Sequence, residues 1–349
     1  MRIRPGKSAL LALCTITLLS GCGYEQSKQA TGIKIGVVVY DQYDTFVAHM
    51  MGIFKDYAAQ KEEETGVAIN IEIMDAAGSQ STQNDQVRTL IEKECDVICV
   101  NLVDRTEPTT ITDMAEKNDV PIIFFNRELV AEDLERWDQL YYVGADAFQS
   151  GIIQGELAAK AFQNDSSLDK NGDGVFQYIV LEGEAGHQDA IVRTEYSINT
   201  LTEQGVAVEK LGYAIANWMR AQAQTKTASM LTEFDTQIEL ILANNDDMAL
   251  GAIDALKAAG VPKEDWPVIF GIDGTPVGLQ AVKNKEMTAT VYNDGIGQAT
   301  QMLDLGFALA TNGSLEEIEL QDDKYIRLPY TAVTVDIVDQ YLTQGEQID

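Results

Sequence analysis

Residues 169–181 read Asp-Lys-Asn-Gly-Asp-Gly-Val-Phe-Gln-Tyr-Ile-Val-Leu, and this stretch limits the folds open to the chain. Four oxygen-bearing side chains stand at alternate positions, as in the first half of an EF-hand calcium loop: Asp169, Asn171, Asp173 and Gln177. Gly174 stands where such a loop turns sharply, and Val175 offers a backbone carbonyl at the seventh position. The twelfth position should be a bidentate Glu but is Val180, inside an apolar run that predicts a strand. A missing ligand must therefore come from elsewhere in the chain.

The rest of the chain alternates apolar runs with amphipathic stretches, which predicts an α/β fold. The apolar runs predict strands at residues 33–40, 68–74, 97–102, 122–125, 141–143, 178–181, 206–213, 238–243, 268–272 and 289–292. The amphipathic stretches predict helices at residues 46–61, 82–94, 111–118, 151–163, 190–204, 219–234, 248–259 and 297–311. Continuous Val, Ile and Leu runs are typical of parallel strands buried on both faces. We expect two sheets of about five strands each, with a crossing near Gly144-Ala145-Asp146 and a late strand or crossover at residues 325–333.

The N-terminus predicts export and lipid attachment. Arg2, Arg4 and Lys7 precede an apolar run at residues 9–19, which is typical of a secretory signal and is short for a membrane span. Leu19-Ser20-Gly21-Cys22 then resembles a bacterial lipobox, whose Cys becomes the lipidated first residue. We therefore expect a signal peptide at residues 1–21, lipidation at Cys22 and a tether at residues 22–32. An ordinary signal peptide with an incidental Cys is the alternative.

The charge of the chain excludes one broad class of function. The chain carries 55 acidic against 25 basic residues, a formal net charge of −30. Such a surface repels phosphate backbones, so we expect no nucleic-acid partner. A solvated acidic surface explains the charge without any specific partner.

Cys95 and Cys99 remain after removal of the leader, and both lie in the stretch Glu94-Cys95-Asp96-Val97-Ile98-Cys99-Val100-Asn101, whose Val and Ile content predicts a strand. Four residues along a strand span about 13 Å, which is too far for a disulfide. A zinc site would need more Cys or His nearby, and the chain has only His49 and His187. We interpret both thiols as small buried hydrophobes.

Polar and aromatic side chains follow nearly every predicted strand. Because ligands of open α/β sheets bind at the carboxyl ends of strands, these side chains form a candidate binding site. The candidates are Asp44, Phe46, Asn126, His187, Asp189, Arg193, Trp218, Asn245, Asp273 and Asn293. Helix capping is the alternative for single residues, and we favour capping alone for Asp246 and Asp294. Capping does not explain the whole set, because it requires no His, Arg or Trp.

This set favours a neutral ligand with many hydroxyl groups. Carboxylates outnumber the fixed cations, so an anionic ligand would be repelled. Planar Asp, Asn and Arg groups can bridge adjacent hydroxyls, and Phe46 and Trp218 offer flat faces suited to the C–H face of a pyranose. A missing hydroxyl would leave buried polar groups unpaired, so such a site discriminates strongly.

Short motifs around these positions carry a family resemblance. They are Lys34-Ile35-Gly36-Val37, Tyr43-Asp44-Thr45-Phe46, Asn101-Leu102-Val103-Asp104, Phe124-Phe125-Asn126, Tyr142-Val143-Gly144, Gly151-Ile152-Ile153-Gln154-Gly155, Gly183-Glu184-Ala185-Gly186-His187, Ala243-Asn244-Asn245-Asp246 and Phe270-Gly271-Ile272-Asp273. Together they resemble the bacterial D-galactose/D-glucose-binding proteins of ABC sugar importers, over residues 33–335. The resemblance implies the type I periplasmic-binding-protein fold, in which two doubly wound parallel-sheet lobes are joined by a three-strand hinge.

The resemblance also implies lobe boundaries and residue roles. The N-terminal lobe would comprise residues 33–144 and 293–326, and the C-terminal lobe residues 145–292 and 327–349, with the hinge near Gly144, Asn293 and Arg327. Phe46 and Trp218 would sandwich the sugar, and Asp44 would accept from the hydroxyl at C4. The remaining candidates would hold the other hydroxyls and the ring oxygen. A structural calcium ion would be held by Asp169, Asn171, Asp173, the Val175 carbonyl, Gln177 and, as the bidentate ligand, Glu239.

The implied function is that of a non-enzymatic, monomeric lipoprotein outside the cytoplasm, anchored to the bacterial cell membrane. Its lobes would close over D-glucose or D-galactose, and an ABC permease would receive the closed form. A sensor that presents the same closed form to a chemoreceptor or histidine kinase is one alternative. A glycoside hydrolase that uses Asp44 and Asp189 as paired carboxylates is another.

Overall fold

The computed structural model describes residues 32–345 together with Met1, so the predicted signal peptide, Cys22 and most of the tether lie outside the described residues. Its strands are β1 (Ile33–Val39), β2 (Ile69–Asp75), β3 (Val97–Val100), β4 (Ile122–Phe125), β5 (Leu140–Ala145), β6 (Val175–Glu182), β7 (Ala207–Ile215), β8 (Leu240–Ala243), β9 (Val268–Asp273), β10 (Ala289–Asn293), β11 (Tyr325–Leu328) and β12 (Tyr330–Thr334). These strands form two six-stranded sheets, ordered β11-β5-β4-β3-β1-β2 and β12-β10-β9-β8-β6-β7. Within the described residues, the pairing of β10 with β12 is antiparallel and the other strand pairs are parallel.

Helices cover the faces of both sheets. They are α1 (Thr45–Thr65), α2 (Gln80–Glu92), α3 (Thr109–Asn118), α4 (Ala131–Leu134), α5 (Ala147–Asn164), α6 (Gln188–Glu203), α7 (Arg220–Phe234), α8 (Asp246–Ala258), α9 (Pro276–Lys283), α10 (Gly295–Ala310) and α11 (Val338–Gly345). Short 3-10 turns at Ser166–Leu168, Asp235–Gln237 and Lys263–Asp265 complete the described elements. The predicted α/β fold with two parallel-dominated sheets is therefore confirmed.

The predicted crossover at residues 325–333 is confirmed, and one detail differs. Each sheet has six strands rather than about five, because these residues form two strands, one in each sheet. Pro329 lies between them, and β11 joins the first sheet while β12 joins the second. Proline has no backbone N–H and fixes its own φ, so a strand break at this residue follows from its chemistry.

The chain passes between the two sheets three times: from β5 into α5, from β10 into α10, and from β11 into β12. We call the layer built on the first sheet the first lobe and the layer built on the second sheet the second lobe. The residue boundaries of the lobes given above stay a prediction.

Each sheet is buried on both faces, as the Val- and Ile-rich runs predict. Every residue of β3 and β4 is buried, and separate hydrophobic clusters cover the two faces of each sheet. Cys95 and Cys99 are both free and buried in the first lobe, which confirms their interpretation as small hydrophobes. Burial raises the pKa of the Cys99 thiol. Among residues 32–345, no helix combines the length and apolar character that a membrane span needs.

Candidate ligand-binding cleft

The carboxyl ends of strands from both sheets meet at a small cleft between the lobes. Nine of the ten predicted site residues line it: Asp44, Phe46, Asn126, His187, Asp189, Arg193, Trp218, Asn245 and Asp273. Six of the nine come from the second lobe and three from the first. The polar set predicted from strand ends is therefore brought together in one place.

Asp44 is held in the first-lobe wall by two hydrogen bonds. Its Oδ1 accepts from the Val47 backbone N–H at 2.9 Å and so caps α1, and its Oδ2 accepts from the Tyr40 hydroxyl at 2.6 Å. Burial and then the Asp44 carboxylate raise the pKa of Tyr40, so the phenol stays protonated and donates. Each carboxylate oxygen keeps a lone pair for a ligand hydroxyl, in a fixed orientation.

Asn126 stands directly after β4 in a left-handed backbone conformation, with φ of 60°. Asn tolerates this region better than most residues. Asn101 Nδ2 donates to Asn126 Oδ1 at 3.2 Å, and the Tyr142 hydroxyl donates to the Asn126 carbonyl at 3.0 Å. These two bonds hold both the amide side chain and the backbone at the edge of the cleft.

Arg193 is the central cation of the second-lobe wall. It is 4% exposed, and its two terminal nitrogens donate to the Asn244 carbonyl at 2.8 Å and to the Tyr330 hydroxyl at 3.0 Å. The carboxylates of Asp273 and Asp189 lie 3.6 and 3.9 Å from its terminal nitrogens. Burial raises the pKa of both carboxyls, and Arg193 opposes that shift. Arg193 Nε is buried without a hydrogen-bond partner, so a donor in this wall is left for a ligand.

His187 caps α6 and is neutral. Its Nδ1 accepts from the Asp189 backbone N–H at 3.1 Å, which assigns the proton to Nε2. Burial, followed by the positive charges of Arg127 and Arg193, lowers the pKa of His187 well below its usual value. A neutral imidazole with a free Nε2–H is a hydrogen-bond donor for a hydroxyl at neutral pH.

The two predicted aromatic faces stand on opposite lobes. Phe46 lies in the first turn of α1, and Trp218 precedes α7 with φ of 64°. Gly183 is required beside the indole, because a Cβ there would lie 2.3 Å from the Trp218 ring. Asn245 Nδ2 donates to the Trp218 carbonyl at 3.2 Å, while its Oδ1 caps α8 at the Met248 N–H.

Helix capping, the alternative explanation for single residues, holds for Asp294 but not for Asp246. Asp294 caps α10 by accepting from the Gly297 N–H at 2.8 Å, as expected. For Asp246 the capping interpretation is wrong, because Asn245 is the cap of α8. Asp246 is fully buried and accepts from the Thr275 N–H at 2.8 Å and the Thr290 hydroxyl at 2.6 Å. It thus ties α8 to the start of α9 through Thr275 and to β10 through Thr290.

The tenth predicted residue, Asn293, does not line the cleft, whereas two residues that were not predicted do. Asn293 ends β10 and is 3% exposed, but it is absent from the cleft lining, and its Oδ1 accepts from Gln298 Nε2 at 2.6 Å. Tyr40 and Arg127 line the cleft and were missed. Their positions held a signal, because Tyr40 ends the first predicted strand and Arg127 directly follows Asn126.

The predicted calcium loop lies at the amino end of β6. Asp169 accepts from the backbone N–H groups of Gly172 and Gly174, both at 2.8 Å. Glu239, which is 1% exposed, reaches the loop from the position before β8 and accepts from the Gln177 N–H at 3.1 Å and the Lys170 N–H at 2.5 Å. Gln177 Oε1 is buried without a partner, and this orphaned oxygen together with the carboxylates fits a hard cation. Among the described residues, no three His, Cys, Asp or Glu side chains converge closely enough to form a metal cluster.

The chain is similar to proteins of known type over most of its length. Residues 35–314 match the periplasmic binding protein domain family. The D-galactose/methyl-galactoside binding periplasmic protein MglB of Haemophilus influenzae is 36% identical over 340 residues, covering 96% of this chain and 99% of that protein. A putative rhizopine-binding protein of Rhizobium meliloti is 29% identical and covers 94% of this chain and 96% of its own length.

Solved structures share the fold. An ABC transporter solute binding protein from Bacillus halodurans with bound myo-inositol has a TM-score of 0.75 at 28% identity, covering 91% of this chain and 100% of that chain. A galactofuranose binding protein has a TM-score of 0.76 at 20% identity and covers 90% of this chain and 99% of that one, which shows the fold alone.

The chain belongs to the periplasmic binding protein family, and within it to the type I, sugar-binding class. The family consists of non-enzymatic solute-binding proteins of ABC transporters that act outside the cytoplasm. The glycoside hydrolase alternative is therefore wrong.

Proposed function

We propose that this protein binds D-glucose or D-galactose in the cleft and presents the closed form to an ABC permease. The observation that carries the proposal is the convergence of nine predicted residues on one cavity, with an anchored arginine at its centre. The 36% identity to a D-galactose/methyl-galactoside binding protein supports the same ligand class. Asp44, held by Tyr40 and the α1 N-terminus, is the acceptor assigned to the C4 hydroxyl.

The charge of the cleft supports a neutral ligand. Asp44, Asp189 and Asp273 face Arg127 and Arg193, so an anion gains little from this wall. Neutral His187 and the amides of Asn126 and Asn245 both fit hydroxyl groups. A second ligand candidate is a cyclitol, which the Bacillus halodurans structure with bound myo-inositol favours.

The binding step follows from this geometry. Phe46 and Trp218 would stack on the apolar faces of the ring, and the planar polar groups would replace the water bound to its hydroxyls. Because the groups come from both lobes, a bound sugar stabilises the closed arrangement over an open one. The permease would then recognise the closed arrangement.

We also propose a structural calcium ion in the loop at residues 169–177. Its ligands would be Asp169, Asn171, Asp173, the Val175 carbonyl, Gln177 and Glu239. The orphaned Gln177 oxygen and the reach of Glu239 across to the loop support this assignment. The ion would hold the start of β6 against β8. Lipidation at Cys22, and hence attachment to the cell membrane, remains part of the proposal and rests on the lipobox alone.

A thermal-shift panel of neutral sugars and cyclitols tests the ligand. Binding to the native state raises stability by about 2.7 kcal/mol when the ligand stands at 100 times its Kd. We expect D-glucose and D-galactose to give the largest increase in melting temperature, with myo-inositol and D-ribose smaller. No increase with either aldohexose would contradict the proposal, and a dominant response to myo-inositol would favour the cyclitol.

A further inference from the structure

Among residues 32–345, side-chain contacts join the lobes across the cleft. Arg127, directly after β4 in the first lobe, donates from Nη2 to Glu184 Oε2, directly beyond β6 in the second lobe, at 3.0 Å. Thr45 at the start of α1 donates to Asp247 in the first turn of α8 at 2.5 Å. We call the first of these the cross-lobe ion pair.

Arg127 is held firmly on the first-lobe side before it reaches across. Its Nη1 donates to the Val103 carbonyl at 2.9 Å, and its guanidinium stands 3.6 Å from the centre of the Tyr40 ring. The side chain is 3% exposed. A guanidinium with a fixed orientation loses little conformational freedom when it meets a carboxylate, so the pairing with Glu184 is favoured.

Glu184 stands in the turn that also positions His187. The His187 N–H donates to the Glu184 carbonyl at 3.1 Å, and His187 in turn caps α6 and lines the cleft. The Glu184 side chain is 45% exposed and does not line the sugar cleft itself. The cross-lobe ion pair therefore lies just outside the cleft. It joins the first-lobe wall to the turn that positions His187.

Arg127 and His187 also separate two cavities. Both line the inner cleft, and both line an outer cavity of about 450 Å³ that includes Glu184, Asp104 and Arg105. The ion pair thus lies in the outer cavity, and its arginine also lines the inner cleft.

We propose that the cross-lobe ion pair acts as a latch that retains the ligand. This inference rests on the proposed sugar-binding function and assigns to Arg127 and Glu184 a role in the rate of release. The pair forms only when the lobes approach, so it stabilises the closed form and must break before the ligand leaves. Removing it raises the dissociation rate and leaves the association rate nearly unchanged, because the ligand meets open lobes.

Glu184 is the side to change, because Arg127 also supports the first-lobe wall through Val103 and Tyr40. Glu184→Ala removes the latch. Asp254→Ala is the control, because Asp254 forms an Arg–carboxylate pair with Arg220, at 2.6 and 2.9 Å, that lies within the second lobe and joins no other lobe. Stopped-flow measurement of Trp218 fluorescence with D-galactose and D-glucose separates the two rates.

We expect Glu184→Ala to raise the dissociation rate roughly fivefold, which corresponds to about 1 kcal/mol for a half-exposed pair. The association rate of Glu184→Ala should stay within about twofold of the wild-type rate. The dissociation rate of Glu184→Gln should lie between those of Glu184→Ala and the wild type, and both rates of Asp254→Ala should match the wild type. A dissociation rate unchanged in Glu184→Ala, or changed equally in Asp254→Ala, overturns the latch.

Small-angle scattering provides a second test. The latch acts only on closed lobes, so the sugar-free proteins should share one radius of gyration. At a D-galactose concentration near the wild-type Kd, Glu184→Ala should keep a larger radius than Asp254→Ala, and equal radii there contradict the latch. A wild-type protein that binds no sugar would refute the proposed function, whereas sugar binding with an unchanged dissociation rate in Glu184→Ala would refute the latch alone.

Discussion

The two ends of β6 lead to two different kinds of polar site. At the amino end of the strand, loop carboxylates accept hydrogen bonds from the loop's own backbone. Beyond the carboxyl end of the strand, polar side chains of both lobes line the ligand cleft. Asp169 and Asp173 accept from backbone N–H groups within a few residues. In the cleft, Arg193 lies 3.6 to 3.9 Å from its carboxylates and keeps Nε unpaired. About 23 Å of strand separates the two regions. The loop carboxylates are tied to their own backbone and Gln177 Oε1 is left unpaired, which suits a fixed ion in a structural role. The cleft leaves Arg193 Nε unpaired between two lobes, which suits an exchangeable ligand.

The largest expected effect is a loss of sugar binding when Arg193, the buried cation of the cleft wall, is replaced. Arg193→Met leaves Asp189 and Asp273 without their cation and removes the unpaired Nε donor of the cleft wall. We expect sugar affinity to fall by more than about 100-fold, measured by calorimetry on protein whose melting curve still shows a folded state. Arg220→Met, which removes an exposed arginine of the same lobe, should bind as the wild type does. Retained affinity in Arg193→Met would contradict the site.

Trp218→Ala tests the aromatic wall. Loss of one stacking face should weaken D-glucose binding about 10-fold without unfolding the protein. Trp266→Ala is the control, because Trp266 packs in the same lobe and donates to the Val261 carbonyl away from the cleft. Equal calorimetric affinities for Trp218→Ala and the wild type would remove Trp218 from the site.

Glu239→Gln tests the loop side. If calcium binds, wild-type protein in excess calcium should melt about 5 °C above the same protein in EDTA, and the variant should lose most of this difference. The exposed Glu209→Gln on neighbouring β7 should keep it. A calcium-dependent increase that is the same in all three proteins would place the ion elsewhere.

The smallest expected effect concerns pH. Burial raises the pKa of Asp246 to about 7. Hydrogen bonds from Thr290 and Thr275 oppose this shift only in part. Because this folded pKa lies above the unfolded value, the stabilising contribution is complete below about pH 4 and is lost as pH rises through about 7. Between pH 5 and 8 the melting temperature of the wild type should fall by about 2–4 °C more than that of Asp246→Asn. Parallel pH profiles would show that Asp246 does not titrate in this range.

Local chemistry explains how much of this molecule could be predicted. The apolar runs predicted both sheets because parallel strands are buried on two faces. The cleft residues could be collected because they lie at the carboxyl ends of strands or in the loops and helix starts that follow, and parallel strands of one sheet end at the same edge. Asp44, His187 and Asn245 serve both as helix caps and as cleft residues, so the capping signal and the site signal coincide at these positions.

What could not be predicted depends on residues that are distant in the chain. Asp246 looked like a cap because its donors, Thr275 and Thr290, come from later elements. Asn293 looked like a site residue because it ends a strand, yet Gln298 takes its oxygen. The Arg127–Glu184 contact joins residues 57 apart on different lobes, which no local pattern reveals.

Calorimetric titration of the wild-type protein with D-galactose and D-glucose, once in calcium and once in EDTA, tests the separation of the two ends of β6 most directly. At a temperature where both samples are folded, we expect sugar binding in both. The two dissociation constants should agree within about twofold, because sites so far apart act independently. Sugar binding that disappears in EDTA while the fold persists would contradict a purely structural ion.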